Sequence, residues 1–106
     1  MTEGPNHGGK LTGALFTECA EWIWEQLQEE DGMYMAGELV ELILATEREL
    51  MVHMEPIDRI VRVVTDELSV RGVSANPSPV SDQMVRAVVE WEDEFLGLAA
   101  IPRSES

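Results

Sequence analysis

The stretch PIDRIVRVVTDELSVRG, residues 56–72, decides the fold class. At about 100° per residue, Ile57, Ile60, Val61, Val64 and Leu68 fall on one narrow stripe. Asp58, Arg59, Arg62, Thr65 and Asp66 lie away from it. Asp58 and Asp66 each sit four residues from Arg62, the spacing of weak surface ion pairs. Pro56 opens the segment, where a missing N–H does no harm in a first helical turn. Gly72 closes it at a natural left-handed position, and Arg71 complements the helix dipole in the last turn. A start, a stop and one apolar face make an amphipathic helix.

Working outward, the same reasoning finds three more helices and no convincing strand. The first runs from about Thr12 to Glu30, with Thr12 or Thr17 as its cap and Asp31-Gly32 as its stop. The second covers about Met33 to His53. After a loop over residues 73–78, Ser78 followed by Pro79 predicts the start of the fourth, which runs to about Leu98. Residues 1–10 and 101–106 read as flexible tails around a single helical domain over 11–100. The fold class is all-α: a compact bundle of about four helices.

Two of these helices carry more apolar surface than one face needs. The fourth places Val80, Met84, Ala87, Val88, Trp91, Phe95 and Leu98 together, with Val85, Val89 and Leu96 on a flanking second stripe. The second is similarly broad, with Met35, Leu39, Val40, Leu42, Ile43, Leu44, Leu50 and Met51. A second subunit would cover such surplus, so a homodimer is expected.

Charge bounds the partners. The 106 residues hold 21 acidic and 7 basic side chains, a formal net charge of −14. Such a field repels nucleic-acid phosphates and anionic lipid; it suits a basic protein partner, bound cations or a salt-rich cytoplasm, and plain solubility gives the same pattern. No apolar run approaches the roughly 18 residues that cross a bilayer. The opening MTEGPNHGGK has no apolar core of a signal peptide, and Cys19 alone can form no internal disulfide. These features point to the cytoplasm.

Few residues point to chemistry. Cys19 lies on the apolar side of helix 1 and reads as a small buried hydrophobe. His53 reads as a histidine at the end of helix 2, one turn after Glu49. Glu47 is odder, because it falls inside the apolar arc of helix 2 between Ile43, Leu50 and Met51. A carboxylate there needs a cationic partner or a raised pKa, and the adjacent Arg48 faces elsewhere on an ideal wheel.

Glu18, Glu21, Glu25 and Glu29 cluster nearly opposite the apolar arc of helix 1, and Glu38, Glu41 and Glu49 do the same on helix 2. A metal cage inside a bundle needs carboxylates that project inward, and these point outward. Glu18-x-x-Glu21, sixteen residues, then Glu38-x-x-Glu41 nonetheless resembles the magnesium motif of all-α nucleotide pyrophosphatases of the MazG type. That family uses Glu-x-x-Glu, a short gap and Glu-x-x-Asp. The resemblance covers about 25 residues and departs at Glu41, which replaces the aspartate, and at Thr17, where a further Glu is usual. It implies a magnesium-dependent nucleotide hydrolase with Glu18, Glu21, Glu38 and Glu41 as ligands.

Helices 3 and 4 with their loop also imitate a helix-turn-helix DNA-binding regulator, although the would-be recognition helix carries Arg86 as its one basic residue. The leading expectation is a small acidic interaction or accessory protein with no catalytic activity and no cofactor. Its contact surface is expected at Trp22, Trp24, Met33, Met35, Val85, Val89 and Leu96.

Overall fold

A computed structural model of the chain describes residues 11, 13–75 and 78–101. The tails expected over residues 1–10 and 102–106, the Thr12 cap, and loop residues Asn76 and Pro77 lie outside the described residues. Four helices make the fold: α1 (Gly13–Glu29), α2 (Gly37–Glu49), α3 (Ile57–Val70) and α4 (Asp82–Leu98). Among the described residues there is no strand, and one isolated antiparallel bridge joins Ser74 to Pro79 in the α3–α4 loop. The all-α bundle is therefore the observed architecture.

The α3 stripe packs as its spacing requires. Ile60, Val61, Val64 and Leu68 are buried, and Ile57 is half-buried at the helix start. Each such side chain contributes about 1.5–3 kcal/mol when fully withdrawn from water. The expected Arg62 pairs with Asp58 and Asp66 do not form; Asp58 instead accepts from Arg86 of α4 at 2.7 Å. A pair that joins two helices replaces one within a helix.

Helices α2 and α4 each pack against the other three, and α4 packs most heavily against α3 and α1. The buried residues of α4 are Val85, Val88, Val89, Glu92 and Leu96. The stripe expected to be a spare flank, together with Val88 of the leading stripe, is thus the core face. Met84, Ala87, Trp91 and Phe95, expected to lead the packing, are half-buried, and Leu98 is 75% exposed. The cause is Glu92. It lies four residues from both Val88 and Leu96, on the Val85/Val88/Leu96 face, and a hydrophobicity reading turns the wheel away from any carboxylate.

Helix α2 is shorter than expected at both ends. Residues before it are extended, with Ala36 at φ −65° and ψ 143°, and the Met33 N–H reaches back to the Leu27 carbonyl at 2.8 Å. At the other end Met51 takes φ 57°. His53 therefore lies beyond the helix, in the following turn, and is 8% exposed.

Three of the helices end in one motif. In α3, Gly72 sits at φ 74°, its N–H donates to Ser69 O, and the Val73 N–H donates to Leu68 O at 3.0 Å. In α4, Ala100 sits at φ 57°, and the Ile101 N–H donates to Leu96 O at 2.8 Å. In α2, Met51 fills the same role, and the Val52 N–H donates to Glu47 O at 2.9 Å. Each left-handed residue lets the chain turn back and satisfy carbonyls the helix leaves open. Ile101, expected in a tail, is 4% exposed because this turn folds it under α4.

The N-terminus of α4 also differs from expectation. Ser81, not Ser78, is the cap, and its side chain accepts from the Met84 N–H at 3.3 Å. Pro79 lies in the bridge to Ser74 and outside the helix. The helix starts three residues later than the Ser78-Pro79 pattern predicts.

Candidate functional site

Two carboxylates lie inside the bundle. Glu47 and Glu92 are both 0% exposed. Arg48 serves both: its Nη2 donates to Glu92 Oε2 at 2.7 Å, and its Nη1 lies 3.7 Å from Glu47 Oε1. Nη1 also donates to the Leu44 carbonyl at 3.2 Å. The wheel reading that aimed Arg48 elsewhere fails because the long side chain curls over the helix surface. Its side chain is 16% exposed, so the guanidinium caps a charged set that is otherwise dry. Glu47 occupies the position that Leu68 and Leu96 hold in the other two helix closures. A carboxylate where the pattern takes leucine needs compensation, and the arginine beside it supplies a counter-charge. Glu92 was missed in the sequence, and its register with Val85, Val88 and Leu96 was the available signal.

The second feature is aromatic. Trp22 of α1 meets Trp91 of α4 edge-on, with ring centroids 5.7 Å apart and planes at 80°. Phe95, one turn after Trp91, also packs on Trp22, with ring centroids 5.9 Å apart. The Trp91 indole N–H donates to Asp31 Oδ2 at 2.9 Å, which fixes the ring on the α1–α4 seam. Beside it Asp31, Glu90, Trp91 and Glu94 line a depression of about 230 Å³. All three aromatic rings are half-buried.

The expected contact residues divide. Val85 and Val89 are 0% exposed, Leu96 3% and Met35 7%, so these four present no surface and are withdrawn from it. Trp22 and Met33 are half-buried, and Trp24 is 38% exposed. The Trp24 indole N–H donates to the Met35 carbonyl at 3.0 Å, tying α1 to the extended segment before α2.

Glu18, Glu21, Glu38 and Glu41 are all exposed. They do not lie wholly apart, however. Glu21 and Glu41 line one small cleft of about 80 Å³ with Ala20, Trp24 and Gly37. One residue from each Glu-x-x-Glu pair thus lines a common, mainly apolar cleft. Among the described residues, no group of three or more His, Cys, Asp or Glu side chains is placed to hold a metal ion.

The remaining charges are segregated. From Gly13 to Asp31 there are six carboxylates (Glu18, Glu21, Glu25, Glu29, Glu30 and Asp31) and no cation. Arg59 pairs with Glu55, and Arg86 pairs with Asp58. Arg71 donates to Glu49 and to Glu67, both at 2.8 Å. Glu49 first, then Glu67, raises the Arg71 pKa above its ordinary value. A raised value in the fold means this contribution is present below the unfolded pKa and lost only as pH climbs through the raised one, in strong alkali.

No family model, no curated protein and no solved structure matches this chain. No helix among the described residues is long and apolar enough to cross a membrane.

Proposed function

We propose that this chain is a non-catalytic interaction protein whose partner carries complementary positive charge. The supporting observation is the segregation of charge. Six carboxylates of α1 and its C-terminal turn face no cation in their own segment, while Arg71 and Arg86 are engaged by carboxylates of α2 and α3. An uncompensated acidic side speeds encounter with a basic surface and disfavours acidic ones.

The pairing of Arg86 with Asp58 takes up the one cation of the would-be recognition helix, which weighs against a DNA-binding role. Val85, Val89 and Leu96 of α4 are covered within one chain, whereas Leu98 of its other stripe and Met51 of the broad α2 set stay exposed, so apolar surface that a second subunit could cover remains.

The test is titration with soluble cationic, neutral and acidic peptides of equal length, followed by intrinsic tryptophan fluorescence at low and high salt. Binding confined to the cationic peptides and weakened by salt is the expected result. Equal affinity for all three would refute the reading.

A further inference from the structure

The α1–α4 seam has both elements of a groove for a helix. Trp91, Phe95 and Leu98 follow one another along α4 as an apolar row, Trp22 of α1 packs against the first two, and Leu98 at the end of the row is 75% exposed. Carboxylates border the row on both sides. On α4 these are Glu90 and Glu94, which share the depression beside Trp91 with Asp31. On α1, Glu18 and Glu29 are exposed and lie within about 40° of Trp22 around the helix.

We propose that this seam is the docking site of a basic amphipathic helix. Its apolar stripe lies on the aromatic row, and its arginines meet the carboxylates on either side. One arginine enters the depression, where a planar guanidinium stacks on the Trp91 face and pairs with Glu90 or Glu94. A helix laid in a groove between two helices exposes such flanking positions at regular turns. A second copy of this chain fits worse, because a twofold contact across the seam would set each carboxylate row against its like. This inference rests on the acidic-interaction reading above and names its surface.

The probe is a synthetic helical peptide with leucines on one face and arginines on the other. A control has the same composition, scrambled so that the stripe is lost and the charge kept. Backbone amide shifts of the full chain map the contact. The striped peptide should shift α1 and α4 amides around Trp22 and Trp91 and bind at least about tenfold tighter than the scrambled one, a difference of about 1.4 kcal/mol. The exposed double variant Glu90→Gln/Glu94→Gln should weaken it about tenfold, whereas Glu38→Gln/Glu41→Gln on α2 should change it less than about twofold. Equal binding of the two peptides, or shifts centred on α2 or α3, overturns the seam while the acidic reading stands. Failure of both cationic peptides to bind overturns both. Circular dichroism of each variant confirms that the helices persist.

Discussion

The Arg48 guanidinium reaches from α2 to the Glu92 carboxylate of α4 at 2.7 Å, and Glu92 has no solvent exposure at all. The same side chain stands 3.7 Å from the equally buried Glu47. One cation therefore serves two carboxylates that water cannot reach.

Removing that cation leaves buried negative charge. Arg48→Met should cost about 3–5 kcal/mol in urea unfolding, the usual penalty for breaking a buried pair from one side. Replacing the whole set, Glu47→Leu/Arg48→Met/Glu92→Leu, should recover most of that loss, because apolar side chains of similar size commonly match or exceed a buried ion pair. A single variant within about 1 kcal/mol of the parent would show that the charges are hydrated in solution.

Thr46, next to Glu47, is 0% exposed, and its hydroxyl has no hydrogen-bond partner among the described residues. A buried hydroxyl without a partner costs about 1–3 kcal/mol. Thr46→Val keeps the shape and removes the hydroxyl. We expect thermal and urea unfolding to show a gain of about 1 kcal/mol, and a loss of that size would mean the hydroxyl has a partner in solution.

The left-handed closures make a matched series. Met51 and Ala100 adopt φ 57° with a side chain, whereas Gly72 adopts φ 74° without one. A left-handed conformation costs an L-residue about 1–2 kcal/mol, and glycine gives back about 0.5–1 kcal/mol through its freer unfolded chain. Met51→Gly and Ala100→Gly should each stabilise by about 0.5–1 kcal/mol. Gly72→Ala should destabilise by a similar amount, and since an added Cβ meets nothing within 4 Å, the effect is purely conformational. Opposite signs in calorimetry would remove the motif as the explanation.

Ser81 and Ser78 separate the true cap from the expected one. Ser81→Ala should cost about 1 kcal/mol through the lost bond to the Met84 N–H, and Ser78→Ala should cost much less. If the two variants unfold together, the side-chain bond to Met84 carries no net stability.

The sequence made α3 legible because five of its apolar residues occupy one stripe that nothing polar interrupts, and only Val63 and Val70 fall outside it. Helix α4 defeated the same reading at a single residue. With Glu92 counted as polar, the apolar centre shifts toward Trp91 and Phe95, and the real core face becomes a flank. No local signal shows that an arginine 44 residues away neutralises it. Helix α2 was overextended because Met35 and Val52 are buried outside the helix, and apolar content alone does not distinguish a helical turn from an extended or folded-back one. Of the expected contact residues, the tryptophans and Met33 kept a surface, whereas Met35, Val85, Val89 and Leu96 did not. Spacing places Trp22 at an edge of the α1 arc, but its meeting with Trp91 at 5.7 Å depends on how α1 and α4 cross.

Leu11 and Ile101 are 2% and 4% exposed and belong to the same core cluster, although both stand outside the helices. They act as plugs at the two margins of the bundle. A gene fragment cut to the helix limits, residues 13–98, would keep every helix and still uncover the core at both margins. The smallest unit to express or graft is therefore Leu11 to Ile101, and a fused neighbour should be joined beyond those two residues.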